Sequence, residues 1–159
     1  TKDYVILREL TIKRGEVYNR QKVEAIKQKL GRLNLFSTVS DPEFYMSKKG
    51  GGLLLRVQEG NTNSFDGILG YVPRGTTDQP GYFTGFVNIS LRNLFGTGRR
   101  LGVRWQRENQ ETQEVELHYL EPWVLNLPVN LGLGFLQREQ DSSYVRRKFD
   151  LKGDASITD

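Results

Sequence analysis

The hydrophobic positions in the first third of the chain recur with a helical period. Thr1 can cap a short helix that carries Asp3 in its first turn, where a negative charge favours the positive end of the helix dipole. The apolar face of this predicted helix consists of Ile6, Leu7 and Leu10. Asn19 is a good N-cap for a second helix, and its predicted apolar stripe consists of Val23, Ile26, Leu30 and Leu33. Each helix is predicted to be about ten residues long and marginal in isolation, so both must pack on another element.

Two strand-like segments follow the helices. A strand is predicted from Val39 to Met46, and the Asp41-Pro42 pair within it favours a sheet edge or a bulge because proline has no N–H. The KKGGG run at 48–52 predicts a turn. The run from Leu53 to Val57 is almost continuously apolar, which is typical of a central strand. The first segment therefore reads α-α-β-β.

After Gly60 the hydrophobic period changes to two. Five runs alternate apolar and polar positions, with most of their apolar residues at odd numbers, and the run from Phe65 to Val72 makes a sixth strand candidate. Most of the six are about ten residues long. The predicted strands are centred on 65–72, 83–92, 101–106, 114–119, 129–136 and 145–157. Short polar or glycine-containing connections at 96–98, 109–111 and 141–143 predict tight hairpins. This segment is therefore predicted to be an antiparallel meander.

One face of the predicted sheet is apolar and aromatic, and the other is polar, charged and rich in glycine. Two architectures satisfy this pattern: a soluble sandwich, in which a second sheet covers the apolar face, and a membrane barrel, in which lipid covers it. Strand length favours the barrel, because a tilted span needs about 9–11 residues. Four aromatic residues near strand ends suit an interfacial girdle: Trp105, Tyr119, Trp123 and Tyr144.

Composition and charge narrow the class of protein. The chain has 159 residues, enough for one domain or two small ones. It has no cysteine, which excludes disulfides and thiol catalysis, and no apolar run of about 18 residues, which excludes a transmembrane helix. Residues 1–60 carry a net charge of +5 and residues 61–159 a net charge of −1. Since no RNA-binding aromatic motif accompanies the basic segment, a solvated basic face is expected and a nucleic-acid partner is not.

The chemistry-bearing residues form no catalytic constellation. The GTGRR run at 96–100 lacks the Lys-Ser/Thr of a phosphate-binding loop and predicts a hairpin turn. His118 is the only histidine, so a metal site or a catalytic triad is not expected. The carboxylates at 108, 111, 114 and 116 favour a charged wall balanced by Arg104 on the neighbouring strand. We expect no cofactor, no metal and no enzymatic activity.

At this point the motifs resemble a known family. TKDYVILRELTI at 1–12, GEVYN at 15–19, LNLFSTV at 33–39 and VQEG at 57–60 resemble parts of a POTRA domain. GILGYV at 67–72, NISLRNLFGTGRRLGVRW at 88–105 and YLEPWV at 119–124 resemble the opening strands of a BamA/TamA-type outer-membrane barrel, the bacterial surface antigen family. The resemblance covers essentially the whole chain.

The resemblance implies a fold and a division of the chain. We expect an α+β POTRA-like segment followed by an antiparallel β meander that is part of a transmembrane β-barrel. Residues 1–60 would be the last POTRA domain lacking its first strand, and residues 64–159 would be about the first six of the sixteen barrel strands. The chain therefore looks like a fragment that spans the junction of the POTRA domain and the barrel.

The resemblance also implies a function and three groups of site residues. An extended client strand would add to a sheet edge by main-chain hydrogen bonds. The pairing residues expected on the first barrel strand are Phe65, Gly67, Leu69, Gly70 and Tyr71. The edge residues expected on the POTRA segment are Val39, Phe44 and Met46. The residues expected to face the barrel lumen are Arg104, Glu114, Glu116 and His118.

The partners implied are unfolded outer-membrane or secreted polypeptides and outer-membrane lipid, with a periplasmic lipoprotein or chaperone as a further candidate. The expected location is the bacterial outer membrane, with the POTRA segment in the periplasm. Two alternatives stay open at this stage. Instead of an assembly component, the chain could be the membrane anchor or exporter unit of a phospholipase–POTRA–barrel fusion, or a soluble β-sandwich binding module.

Overall fold

The computed structural model describes residues 1–48, 50–75, 80–141 and 144–155, which divide into two compact units. The first unit contains Thr1–Thr62 and, unexpectedly, the turn Phe95–Gly98. The second unit contains Asn63–Leu94 and the described residues from Arg99 onward. Among the described residues, no helix is long and apolar enough to cross a membrane.

The described residues of the first unit form two helices and four short strands. Helix α1 spans Asp3–Leu7 and helix α2 spans Arg20–Arg32. The strands are β1 (Phe36–Val39), β2 (Glu43–Ser47), β3 (Gly50–Leu54) and β4 (Val57–Glu59). They form two antiparallel pairs, β1 with β4 and β2 with β3. No strand described in this unit is central to a sheet, so the central position predicted for Leu53 to Val57 is not found.

Helix α2 follows the prediction closely. The Asn19 side chain accepts a hydrogen bond from the Lys22 backbone N–H at 3.2 Å and so caps the helix. The predicted stripe residues Val23, Ile26 and Leu30 are buried. Helix α2 packs against β1, and its stripe supplies three of the five buried hydrophobic residues among the described residues.

Helix α1 differs from the prediction in its cap, its length and its buried face. Lys2, not Thr1, is the N-cap residue, and no side chain caps the helix. Val5 is the fully buried residue, whereas Leu7 is 61% exposed. With only five residues, the helix makes little more than one turn. A single turn offers too few apolar positions to fix which face points inward, so packing selected Val5.

The strand predicted from Val39 to Met46 is two strands in two different pairs. Residues between Val39 and Glu43 interrupt it, and Pro42 lies in this interruption. Proline cannot donate a ladder hydrogen bond, and it also restricts the residue before it. At the break, the Ser40 N–H donates to the Arg56 carbonyl at 3.0 Å, and the Arg56 N–H donates to the Ser40 hydroxyl at 3.2 Å. These bonds satisfy the main chain where the two strand pairs meet.

The second unit is one six-stranded antiparallel sheet. Its strands are β5 (Ser64–Val72), β6 (Tyr82–Leu94), β7 (Arg99–Arg107), β8 (Thr112–Glu121), β9 (Val129–Gln140) and β10 (Tyr144–Ala155). Each strand pairs with its sequence neighbour, in the order β10-β9-β8-β7-β6-β5. The predicted meander is therefore confirmed. Ser142, Ser143 and Ile157, which the sequence placed in the last hairpin and strand, lie outside the described residues.

The register of this sheet also follows the predicted alternation. One row of directly opposed residues crosses all six strands: Phe65, Ile89, Val103, Leu117, Phe135 and Phe149. The described residues of this unit contain no second sheet that could cover the apolar row, and Phe149 is 77% exposed. The described residues of this unit therefore form a single sheet and not a two-sheet sandwich.

Candidate functional site

Strand β5 forms an edge of the described sheet. It pairs only with β6, from Ser64 opposite Ser90 to Val72 opposite Tyr82. Its apolar side chains are strongly exposed, with Phe65 at 76% and Leu69 at 62%. All five residues predicted to pair with a client strand lie on β5. An edge strand presents a row of unpaired main-chain donors and acceptors, so β5 has the backbone chemistry needed to accept another strand.

The apolar face of the sheet ends in charged groups on strand β7. Arg99 and Arg107, at its two ends, share a face with Leu101, Val103 and Trp105 between them. The Arg99 guanidinium donates to the Glu121 carboxylate at 2.7 Å, and the Tyr119 hydroxyl donates to the same oxygen at 2.5 Å. At about 3.4 Å per residue, the two arginines are about 27 Å apart along the strand, a span that suits the apolar band of a tilted membrane strand.

The opposite face carries the four residues predicted to face the lumen. Arg104 lies directly opposite Glu116, so these two side chains point to the same side of the sheet, as predicted. His118 Nε2 lies 3.6 Å from a Glu116 carboxylate oxygen. Arg104 was predicted to balance the carboxylates of this face, but the basic group near Glu114 is Arg138, at 3.7 Å. Arg104 instead donates a hydrogen bond to the Gln106 side chain at 3.0 Å.

The residues predicted to form the POTRA edge do not lie on one edge. Val39 is the last residue of β1 and lies opposite Val57 on β4. Phe44 and Met46 lie on β2, opposite Leu53 and Gly51. The separation follows from the break at Pro42.

The exposed apolar residues of β2 belong to a small surface cluster. The Tyr18 and Phe44 rings contact each other edge to face, with centroids 5.7 Å apart. Met46 is 74% exposed on the same strand, and the Phe44 ring and the Met46 sulfur lie against Gly51 of the paired strand. We call Tyr18, Phe44 and Met46 the β2 cluster. Sequence reasoning missed Tyr18 because it lies in the loop before α2.

The loop that carries Tyr18 also holds a polar network. The Glu16 carboxylate forms an ion pair with the Lys22 ammonium group and accepts a hydrogen bond from the Lys13 backbone N–H at 3.0 Å. The hydrogen bond from Lys22, followed by that from the Lys13 backbone, lowers the pKa of Glu16 below its ordinary value. These contacts tie the loop to the first turn of α2.

The turn Phe95–Gly98 packs on the start of the first unit. The Lys2 N–H donates to the Gly96 carbonyl at 2.8 Å, and Thr97 is buried. Gly96 has a φ of +73°, and a Cβ there would lie 3.3 Å from the Lys2 nitrogen. The sequence predicted this turn from its glycines but gave no signal of its packing partner.

Within the part of the chain that the structure describes, no three His, Asp or Glu residues come together in a way that could hold a metal ion. The candidate functional features are therefore the free edge of β5, the two contrasting faces of the sheet and the β2 cluster.

Comparisons with known proteins agree with this arrangement. Residues 1–60 match the POTRA family, described as "Surface antigen variable number repeat". Over 137 residues the chain is 28% identical to a protein of Treponema pallidum (strain Nichols) that is provisionally named an outer membrane protein assembly factor. This match covers 85% of the chain and 16% of that protein.

The fold matches the crystal structure of BamA from Haemophilus ducreyi lacking POTRA domains 1–3, with a TM-score of 0.69 and 24% sequence identity. The match covers 96% of this chain and 29% of that one. The three comparisons confirm the resemblance to the BamA-type family that the sequence motifs predicted. The chain spans less than a third of the length of either relative.

Proposed function

We propose that this chain is part of an outer-membrane protein assembly factor, in which the free edge of β5 pairs with strands of client polypeptides. The proposal rests chiefly on one observation: the outer edge of β5 is exposed and pairs with no other strand that the structure describes. The name of the Treponema relative and the BamA-type fold support the assembly role. The role is non-enzymatic, because main-chain hydrogen bonding to a client requires no catalytic group.

The two faces of the sheet define the proposed environment. The apolar face, bounded by Arg99 and Arg107, contacts outer-membrane lipid. The face that carries Arg104, Glu116 and His118 lines the barrel lumen. The first unit lies in the periplasm, where its sheet edges meet clients before they reach β5.

The β2 cluster is the second proposed contact on the client path. Strand β2 pairs only with β3 among the described strands, so its other main-chain edge is available for strand addition. Phe44 and Met46 would contact apolar side chains of an added strand, whereas Val39, on β1, would not take part. A periplasmic lipoprotein or chaperone is the other partner that an apolar periplasmic surface would suit.

Site-specific photocrosslinking in the full-length protein tests the role of β5. A photoreactive residue replaces Leu69 on β5 in one variant and Val103 on β7 in the other. Both positions are on the apolar pattern, but β7 is paired on both sides. We expect client adducts at position 69 and none at position 103. Equal capture at both positions, or no capture at position 69, would contradict the proposal.

A further inference from the structure

Two glycines on adjacent strands allow an unusually close approach between the backbones of β5 and β6. Gly85 of β6 has a φ of +126°, a conformation that residues with a side chain rarely adopt. A Cβ at position 85 would overlap the Ile68 carbonyl oxygen of β5 and lie 3.2 Å from the Leu69 Cα. Position 85 therefore requires glycine both for its conformation and for the space it occupies.

Gly67 makes the reciprocal approach from the other strand. A Cβ at position 67 would lie 2.7 Å from the Phe86 carbonyl oxygen and 3.2 Å from the Val87 Cα. The register places Gly67 opposite Val87 and Gly85 opposite Leu69. The two glycines thus lie two positions apart along the same ladder, one on each strand, with the Ile68–Phe86 pair between them.

The close approach is not a general property of glycines in this sheet. A Cβ at Gly102 or at Gly132 would come no nearer than 3.7 Å to any heavy atom of another strand. At Gly70, the nearest atom is a methyl carbon of the Thr84 side chain at 3.3 Å, which can move aside. A glycine inside a strand marks a bend or a close backbone approach. Among the described glycines in the strands of this sheet, only Gly67 and Gly85 would place a Cβ within 3.2 Å of the backbone of the paired strand.

We propose that Gly67 and Gly85 form a two-glycine joint. The close backbone approach at this joint fixes the direction of the β5 segment that leads to Val72, and thereby positions the free edge of β5 for a client strand. The proposal rests on the function proposed above for that edge. Gly85 is a positioning residue, since it lies on β6 and acts through β5. The joint divides the β5–β6 ladder into an inner part, which includes Asp66 opposite Asn88, and an outer part, which includes Val72 opposite Tyr82.

Cysteine pairs in the full-length, membrane-inserted protein test the joint, because none of the 159 residues of this chain is a cysteine. One pair replaces Asp66 and Asn88 in the inner part, and the other replaces Val72 and Tyr82 in the outer part. Each pair is combined with Gly85→Ala, with Gly67→Ala or with the control Gly102→Ala, and disulfide formation is measured.

We expect Gly85→Ala to lower the yield of the outer disulfide roughly tenfold, because an L-residue strained at this φ shifts a local equilibrium by about that factor. The inner disulfide should form normally, which shows that the variant is folded and inserted. Gly102→Ala should leave both yields unchanged. Equal outer yields in Gly85→Ala and Gly102→Ala would overturn the joint.

Client capture at position 69 separates this inference from the proposed function. Photocrosslinking at position 69 is repeated in the Gly85→Ala and Gly102→Ala backgrounds, and we expect adducts to decrease only in Gly85→Ala. If the parent protein captures clients and Gly85→Ala captures them equally well, the positioning role of Gly85 is wrong while the function of β5 stands. If the parent protein captures no client at this position, the proposed function itself fails, whatever the disulfides show.

Discussion

The two units of the molecule achieve order in different ways. The buried hydrophobic side chains of the described residues all belong to the first unit: Val5, Val23, Ile26, Leu30 and Leu35. In the second unit, every described side chain keeps part of its surface exposed. The first unit therefore has a buried hydrophobic interior, whereas the second has a continuous hydrogen-bond ladder across six strands without an interior.

The difference shows that strand pairing and apolar burial are separable requirements. Water cannot cover an extended apolar face at low cost, but hydrocarbon can, provided that each main-chain group is already bonded to a neighbouring strand. The six-stranded ladder meets this condition at every strand except its two edges. The comparison therefore predicts that substitutions of core residues lower the stability of the first unit. In the second unit, the effect of a substitution should depend on whether the residue lies on the apolar or on the polar face of the sheet.

The largest effect is expected from Leu30→Ala in the core of the first unit. Leu30 is fully buried on α2, so removing its side chain leaves a cavity and should cost about 2–5 kcal/mol. Hydrogen exchange of the α2 amides, measured with the protein in detergent micelles, reports the loss. Leu7→Ala is the matched control, because Leu7 is 61% exposed. Similar acceleration of exchange in both variants would contradict a core centred on α2.

The second effect compares neighbouring positions on opposite faces of β8. Leu117 lies in the apolar row and His118 on the polar face. Leu117→Arg should make the free energy of insertion into lipid vesicles less favourable by about 2–4 kcal/mol, the cost of an arginine on the lipid face near the bilayer centre. His118→Arg should change this free energy little. Protease protection of the full-length protein after vesicle insertion measures both variants. A larger loss in His118→Arg would reverse our assignment of the two faces.

A smaller effect is expected at the start of α2. Asn19→Ala removes the side-chain acceptor of the Lys22 N–H and should destabilise the first unit by about 1 kcal/mol. Asn19→Ser keeps an acceptor at the cap and should recover most of the loss. Exchange rates of the first-turn amides distinguish the two variants. Equal losses in both would show that the amide of Asn19 has a role other than capping.

The smallest effect concerns pH and the loop before α2. The pKa of Glu16 is lower in the folded protein than in the unfolded chain, so this carboxylate stabilises the fold above its unfolded pKa. The stabilisation should be lost as the pH falls through the folded pKa. Lys22→Met should raise the Glu16 pKa toward its ordinary value, as observed by NMR titration of the carboxyl carbon. An unchanged pKa in Lys22→Met would contradict the ion pair.

Sequence reasoning succeeded where neighbouring residues decide the structure. The Asn19 cap and the stripe on α2 follow from positions three and four apart, and the six strands follow from an alternation sustained over about ten residues. The same alternation correctly placed Arg104 and Glu116 on one face. When a hydrophobic pattern repeats several times, the repeats together show which residues lie on the apolar face.

The errors fall where the pattern is short or interrupted. Five residues of α1 could not show that Val5, and not Leu7, faces inward. The interruption at Pro42 placed Val39 on a different strand from Phe44 and Met46, so the predicted POTRA edge separated into two strands. The Asp41-Pro42 pair predicted an edge or a bulge. The sequence could not show that the strand before Pro42 pairs with β4 and the strand after it with β3.

By itself, the sequence determined the two hydrophobic periods, the number of strands in the sheet and the chemical character of each face, because these depend on side-chain type at regular spacing. Only the tertiary structure decided which distant groups meet. The backbone of β5 approaches Gly85 closely, and the turn at Gly96 packs on Lys2. The physical reason is that a glycine has no side chain whose size or polarity would indicate which segment packs against it. Its need for space appears only when another segment of the chain occupies the position that a Cβ would take.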